Sequence, residues 1–208
     1  TGTMSVPFTG RGPMPALDLW KQVYKDNFFY QLYFQKEGVA EAEFESDLQK
    51  SLFITYTNSD GRGMQNNLEK GQSGLVPKKD KNSTFLEGME VFDDFPDWFK
   101  QEDLDYFVSQ FEISGLRGPF NRYRAQNIDW NELAELDKKL KQPACFITGT
   151  LDPVNFFIAT DEPLIDRIEA NYENLLFAEE LEGIGHWTQQ EAPEEVNRLI
   201  LKFLKQVS

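Results

Sequence analysis

Positive charge, cysteine and histidine are scarce in this 208-residue sequence, and long apolar runs are missing. Twenty-one Lys and Arg face thirty-five Asp and Glu, a formal net charge of -14. A field of that sign repels phosphate backbones and anionic membrane surfaces, so neither nucleic acid nor a membrane is expected as a partner. The one cysteine, Cys145, rules out an intrachain disulfide. Its apolar setting, PACFIT, marks a buried inert thiol rather than a nucleophile. No run approaches the ~20 apolar residues of a membrane span. No secretory signal is visible, and a cytoplasmic location is expected. Nothing in the pattern asks for a metal or an organic cofactor. The chain opens on TGTMSVPF, which reads as the tail of a strand rather than a natural start.

What is present suffices for a packed core: 40% apolar residues, with eighteen Phe. Thr3 to Val6 predicts a strand end leading into a Pro/Gly-rich connector, PFTGRGPMP. Leu17, Trp20, Val23, Tyr24 and Asn27 recur at helical steps, which predicts a helix from Ala16 to about Phe29. A second helix is expected from Val39 to Thr55, with Ala40, Phe44, Leu48, Leu52 and Phe53 on one face. Residues 57–84, rich in Gly, Asn, Ser and Lys, look least ordered and are expected to be mobile or functional. Further helices are predicted from Gln101 to Ile113 and from about Pro119. After Pro143 the pattern changes. ACFITG and the run starting at Leu175 read as strands buried on both faces, which implies parallel pairing and flanking helices. Pro193 to Val207 carries Val196, Leu199, Ile200, Phe203 and Leu204 at helical spacing.

Two positions stand out chemically. His186, the single histidine, lies in GIGHWTQQEAP, after the second buried strand and before the last helix. A lone histidine is often only a packed side chain, but open α/β sheets place ligands beyond the carboxyl ends of their strands. Gly183 and Gly185 permit a backbone that projects the ring inward. Asp152 follows the other buried strand, in TGTLDPV. Asp-Pro also serves as a turn cap. Together the two form an orienting pair, in which the carboxylate fixes the imidazole tautomer and leaves the second nitrogen to take a proton.

Three segments then carry a resemblance. FFYQLYFQKEGVAEAEFESD is similar to the lid-entry signature of epoxide hydrolases, LRGPFNRYR to their second lid signature, and GHWTQ to their histidine motif. All three occur in family order, and the similarity runs from about residue 3 to residue 205. The resemblance implies a partial α/β-hydrolase fold: the last parallel strands and helices of the core, with a helical lid domain. Residues 1–15 would be the end of a core strand and connector, 16–140 the lid, and 141–208 the C-terminal part of the core. It also implies conversion of epoxides to vicinal diols through an aspartyl ester. Tyr30 and Tyr123 would be the lid phenols that protonate the epoxide oxygen, His186 the base that activates water, and Asp152 its orienter. Gln31 and Trp187 would line the pocket.

Arg122 stands where the family usually has Trp, and Glu37 where it usually has Pro. The family's oxyanion motif and nucleophile elbow, which precede the lid, are absent. Asp26, Asp47 and Asp60 sit in no strand-turn-helix elbow and do not replace the nucleophile. The isolated chain is therefore expected to be inactive. It is also expected to expose a sheet edge, covered by a missing N-terminal half of the core or by a second copy. Two alternatives accompany the reading: a dehalogenase of the same fold, and a non-catalytic truncated fragment.

Overall fold

A computed structural model describes residues 1–72, 78–136, 138–157 and 162–208. The chain forms two compact units. The first unites Thr1–Arg11, the stretch starting at Ser59, and Leu136–Ser208. The second begins at Gly12–Asn58 and ends at Glu135. The stretch from Ser59, expected within a helical domain of 16–140, thus belongs with the strands.

The first unit is built on a parallel sheet of order β1-β2-β3: β1 Gly2–Met4, β2 Ala144–Gly149 and β3 Leu175–Leu181. Every residue of the central β2 is buried, as its unbroken apolar run requires. Its side chains alternate. Ala144 and Phe146 pack with Ile168 and Tyr172 beside α9 (Leu164–Glu169), whereas Ile147 packs with Val196 and Leu199 of α11 (Pro193–Val207). Helices thus cover both faces, and α11 has the predicted bounds. β3 departs from the expectation of full burial. It reads LLFAEEL, Glu180 is exposed, and the other six residues are only half-buried, in keeping with a terminal place in the strand order.

The expected loop over residues 57–84 is largely structured. One helix, α4 (Leu48–Ser59), runs into it, and α5 spans Gly61–Glu69. Asp60 caps α5 by accepting from the Gly63 N–H at 2.7 Å, and Met64 anchors the helix, fully buried. The polar sequence GRGMQNNLE hides this element because one cap and one apolar anchor replace a long stripe. Farther on, Lys79 Nζ donates to the carbonyls of Phe85 (2.8 Å) and Glu87 (2.7 Å), closing a fixed turn. Residues 73–77 lie outside the described residues.

The second unit is helical: α1 Ala16–Val23, α2 Tyr30–Tyr33, α3 Val39–Glu45, α4 Leu48–Ser59, α6 Gln101–Ser114, α7 Arg117–Arg124 and α8 Gln126–Glu132. The first predicted helix ends early. Tyr24-Lys25-Asp26 form a turn, Asn27 bridges to Asp80, and the Phe28 N–H donates to the Lys79 carbonyl. The second breaks at Asp47, whose carboxylate accepts from the Lys50 N–H and opens a new helix. Two aromatic clusters fill this unit. Phe34, Phe44, Phe85 and Phe120 form one, with ring centroids 4.5 to 6.3 Å apart. Leu52, Phe99 and Leu104 centre the other. Among the described residues, no helix is long and apolar enough to cross a membrane.

Gly149, the last residue of β2, has no room for a side chain: a Cβ there would sit 1.9 Å from the Ile184 carbonyl oxygen. Gly149→Ala should therefore lower stability by about 2 kcal/mol or more, read as a lower urea midpoint with an unchanged slope.

Candidate active site

In the strand unit, Asp152 sits just beyond β2 with its side chain wholly buried. Its Oδ1 accepts from the Val154 N–H at 2.9 Å, capping a short 3-10 turn over Pro153–Phe156. The same carboxylate meets His186 Nδ1 at 3.0 and 3.1 Å. Turn cap and histidine partner, the two sequence readings of Asp152, are thus both satisfied. An anion at Nδ1 stabilises the tautomer with its proton there, which leaves Nε2 as the free lone pair.

His186 is carried on the loop between β3 and α10 (Thr188–Glu191) and keeps 29% of its side chain exposed. The loop turns at Gly183, with φ at +73°, a conformation that suits glycine. Gly185 acts differently: a Cβ there would lie 2.3 Å from the Asp60 carbonyl carbon, so the position demands close backbone approach rather than an unusual φ. Trp187 packs edge-on to the imidazole, with centroids 5.2 Å apart.

Three holders of this loop were not anticipated from sequence. The His186 N–H donates to the Ser59 carbonyl at 2.9 Å. Ser5 Oγ donates to the His186 carbonyl at 2.9 Å, from a buried residue with φ at 60°. Glu191 Oε2 accepts from Gly185 and Gly61, and Oε1 from Trp187, at 2.8 to 3.0 Å. Burial pushes the Glu191 carboxyl above its usual range, and the Asp60 charge adds to this against the three N–H donors. An acid five residues after the histidine was the only sequence signal for it.

In the helical unit, the two lid signatures meet. Tyr30 opens α2, Tyr123 lies on α7, and their rings pack edge-on with centroids 5.5 Å apart. Gln126 Nε2 donates to Gln31 Oε1, and Gln31 Nε2 donates to the Tyr30 hydroxyl, both at 2.9 Å. Gln31 is thus buried as a donor to Tyr30, in addition to any part in lining a pocket. Gln35 Nε2 ties the carbonyls of Gln31 (2.7 Å) and Tyr123 (3.2 Å). Burial raises the Tyr123 phenol, whereas Arg122 and the hydrogen bond with Tyr30 oppose the rise.

The glutamates of GVAEAEFE are the fasteners. Glu41 takes a bidentate bond from Arg124 at 2.7 and 3.0 Å, with both side chains nearly buried, and Arg124 holds its carboxyl below the usual range. Glu43 accepts from Tyr33 and from the Phe85 and Leu86 amides, and Glu45 from the Leu116 amide. The unusual residues fall outside this framework. Arg122 is exposed, and Glu37 forms an exposed ion pair with Arg117.

No family model matches the chain. Epoxide hydrolase A of Mycobacterium tuberculosis is 33% identical over 202 residues, 97% of this chain and 59% of that protein. Epoxide hydrolase B of the same organism is 32% identical and is covered over 63% of its length. Among solved structures, an epoxide hydrolase from an endophytic Streptomyces superposes with a TM-score of 0.85 at 33% identity, over 99% of this chain and 60% of that one. In sequence and in fold the chain is similar to the C-terminal portion of epoxide hydrolases of the α/β-hydrolase fold. It spans about three fifths of these relatives' length.

Removing one partner of the Glu41–Arg124 pair strands a nearly buried charge, so Glu41→Ala should cost roughly 3 kcal/mol in urea unfolding. Tyr30→Phe removes a hydrogen bond that lowers the Tyr123 pKa, and ring-carbon NMR should show Tyr123 titrating higher still. The sign for stability follows: the contribution of the raised phenol is intact below pH 10.0 and is lost as pH climbs through the folded value.

Proposed function

We propose that this chain is the C-terminal part of an epoxide hydrolase, completed by an N-terminal half that carries the nucleophilic aspartate. That aspartate attacks an epoxide carbon; the carbon–oxygen bond breaks, and an alkyl ester forms. Tyr30 and Tyr123 donate to the departing oxygen and supply its proton, since a bare alkoxide is a poor leaving group. Water then attacks the ester carbonyl and gives its proton to His186 Nε2. The ester then opens, and the protons held by His186 and by the newly formed carboxyl pass to the departing alkoxide and to the tyrosine phenolate, which releases a vicinal diol and restores the carboxylate. Asp152 stabilises the imidazolium while it lasts.

The observation that carries the reading is the Asp152–His186 hydrogen bond, formed by two residues from different strand ends. The pairing of two motif tyrosines in the helical unit supports it separately. A histidine base and an aspartyl ester also serve dehalogenases, but the two phenols favour an epoxide oxygen over a halide.

The test uses the full-length protein with styrene oxide. Phenylethanediol should form, and Tyr30→Phe/Tyr123→Phe should cut kcat/KM at least about 100-fold. His186→Gln should halt after one turnover, with the protein mass raised by that of the substrate. Halide release from haloalkanes without diol formation would reassign the chain to the dehalogenases.

A further inference from the structure

We propose that Glu191 is a positioning residue, whose carboxylate grips the backbone on both sides of His186 and so keeps Nδ1 against Asp152. The inference rests on the reading of His186 as the base. Its support is geometric. Glu191 Oε1 takes the Trp187 N–H at 3.0 Å and Oε2 the Gly185 N–H at 2.9 Å, the two amides that flank the histidine. Oε2 also takes the Gly61 N–H at 2.8 Å, which joins the loop to the turn before α5. The same turn supplies the Ser59 carbonyl to the His186 N–H, and Ser5 closes the His186 carbonyl. The backbone N–H and carbonyl of His186 and both flanking amides therefore have protein partners, and one side chain accepts from both flanking amides.

A carboxylate suits this task because all three partners are donors. Asp60 is the facing charge from the turn and opposes ionisation of Glu191, while the three N–H groups favour it. A glutamine at 191 would offer one oxygen and would turn an NH2 group toward N–H donors. The loop would then lose at least one hold and relax around Gly183, and a shift of a few tenths of an ångström degrades the contacts at 3.0 and 3.1 Å to Asp152.

In the full-length protein, the imidazole signals that vanish in His186→Gln belong to His186. Proton–nitrogen NMR of the unmodified full-length protein should show His186 in a single tautomer with a protected Nδ1–H. In Glu191→Gln that proton should exchange with water at least about tenfold faster. Glu191→Asp, which keeps the charge, should fall between the two. Phe203→Leu, a core change on α11, should leave the signal intact despite lost stability, which separates positioning from general loosening. The proposal falls if the unmodified protein lacks the protected proton, if Glu191→Gln folds and keeps it, or if Phe203→Leu loses it equally. It falls too if neither Glu191 variant unfolds cooperatively, since Glu191 would then determine the fold itself. No substrate enters the measurement, so a protein that fails to make diol leaves this result standing.

Discussion

A carboxylate stripped of water must be satisfied by the protein around it, and the strand unit organises itself about one such group. Asp152 is wholly buried, yet its oxygens meet the imidazole and the Val154 N–H at hydrogen-bond distance. That arrangement works only if β2 delivers the acid and the loop after β3 delivers the base to one place. Parallel pairing provides it, because both strands end at the same edge of the sheet. The helices on either face protect the central strand, Gly149 lets the loop come down onto it, and Gly185 lets the loop close on the turn at Asp60.

The helical unit meets a comparable demand with acids and backbone amides. Three glutamates spaced two apart on α3 reach three different segments: Arg124 on α7, the turn at Phe85 and Leu86, and the entrance to α7 at Leu116. The repetition of Glu in GVAEAEFE therefore reflects joints between chain segments, not a solvated acidic face. The same joints bring α2 and α7 together, and with them the edge-on rings of Tyr30 and Tyr123. The buried amide relay from Gln126 through Gln31 aims its donors at the Tyr30 oxygen and so leaves that hydroxyl's own proton to be donated elsewhere.

Much of this was legible in the residues, and the failures have identifiable causes. β2 and α11 announced themselves through a continuous apolar run and a clear helical stripe. Asp152 and His186 were found from their positions after strands. α5 was missed because a cap and one buried methionine do the work that a stripe usually does. The breaks at Tyr24 and Asp47 are masked by apolar spacing that runs straight through them. Ser5, Ser59 and Glu191 were invisible because their roles depend on partners more than a hundred residues away or on bare backbone atoms.

The crowded backbone around the histidine has a corollary for how such a protein can diversify. Gly61, Gly149 and Gly185 each face foreign backbone at distances that admit no side chain, so natural or laboratory variation is barred from the floor of that loop. Arg122 and Glu37, by contrast, replace the residues usual in the family while standing exposed. Innovation in this scaffold has its latitude on the helical side, and the histidine's support is the part that heredity must copy faithfully.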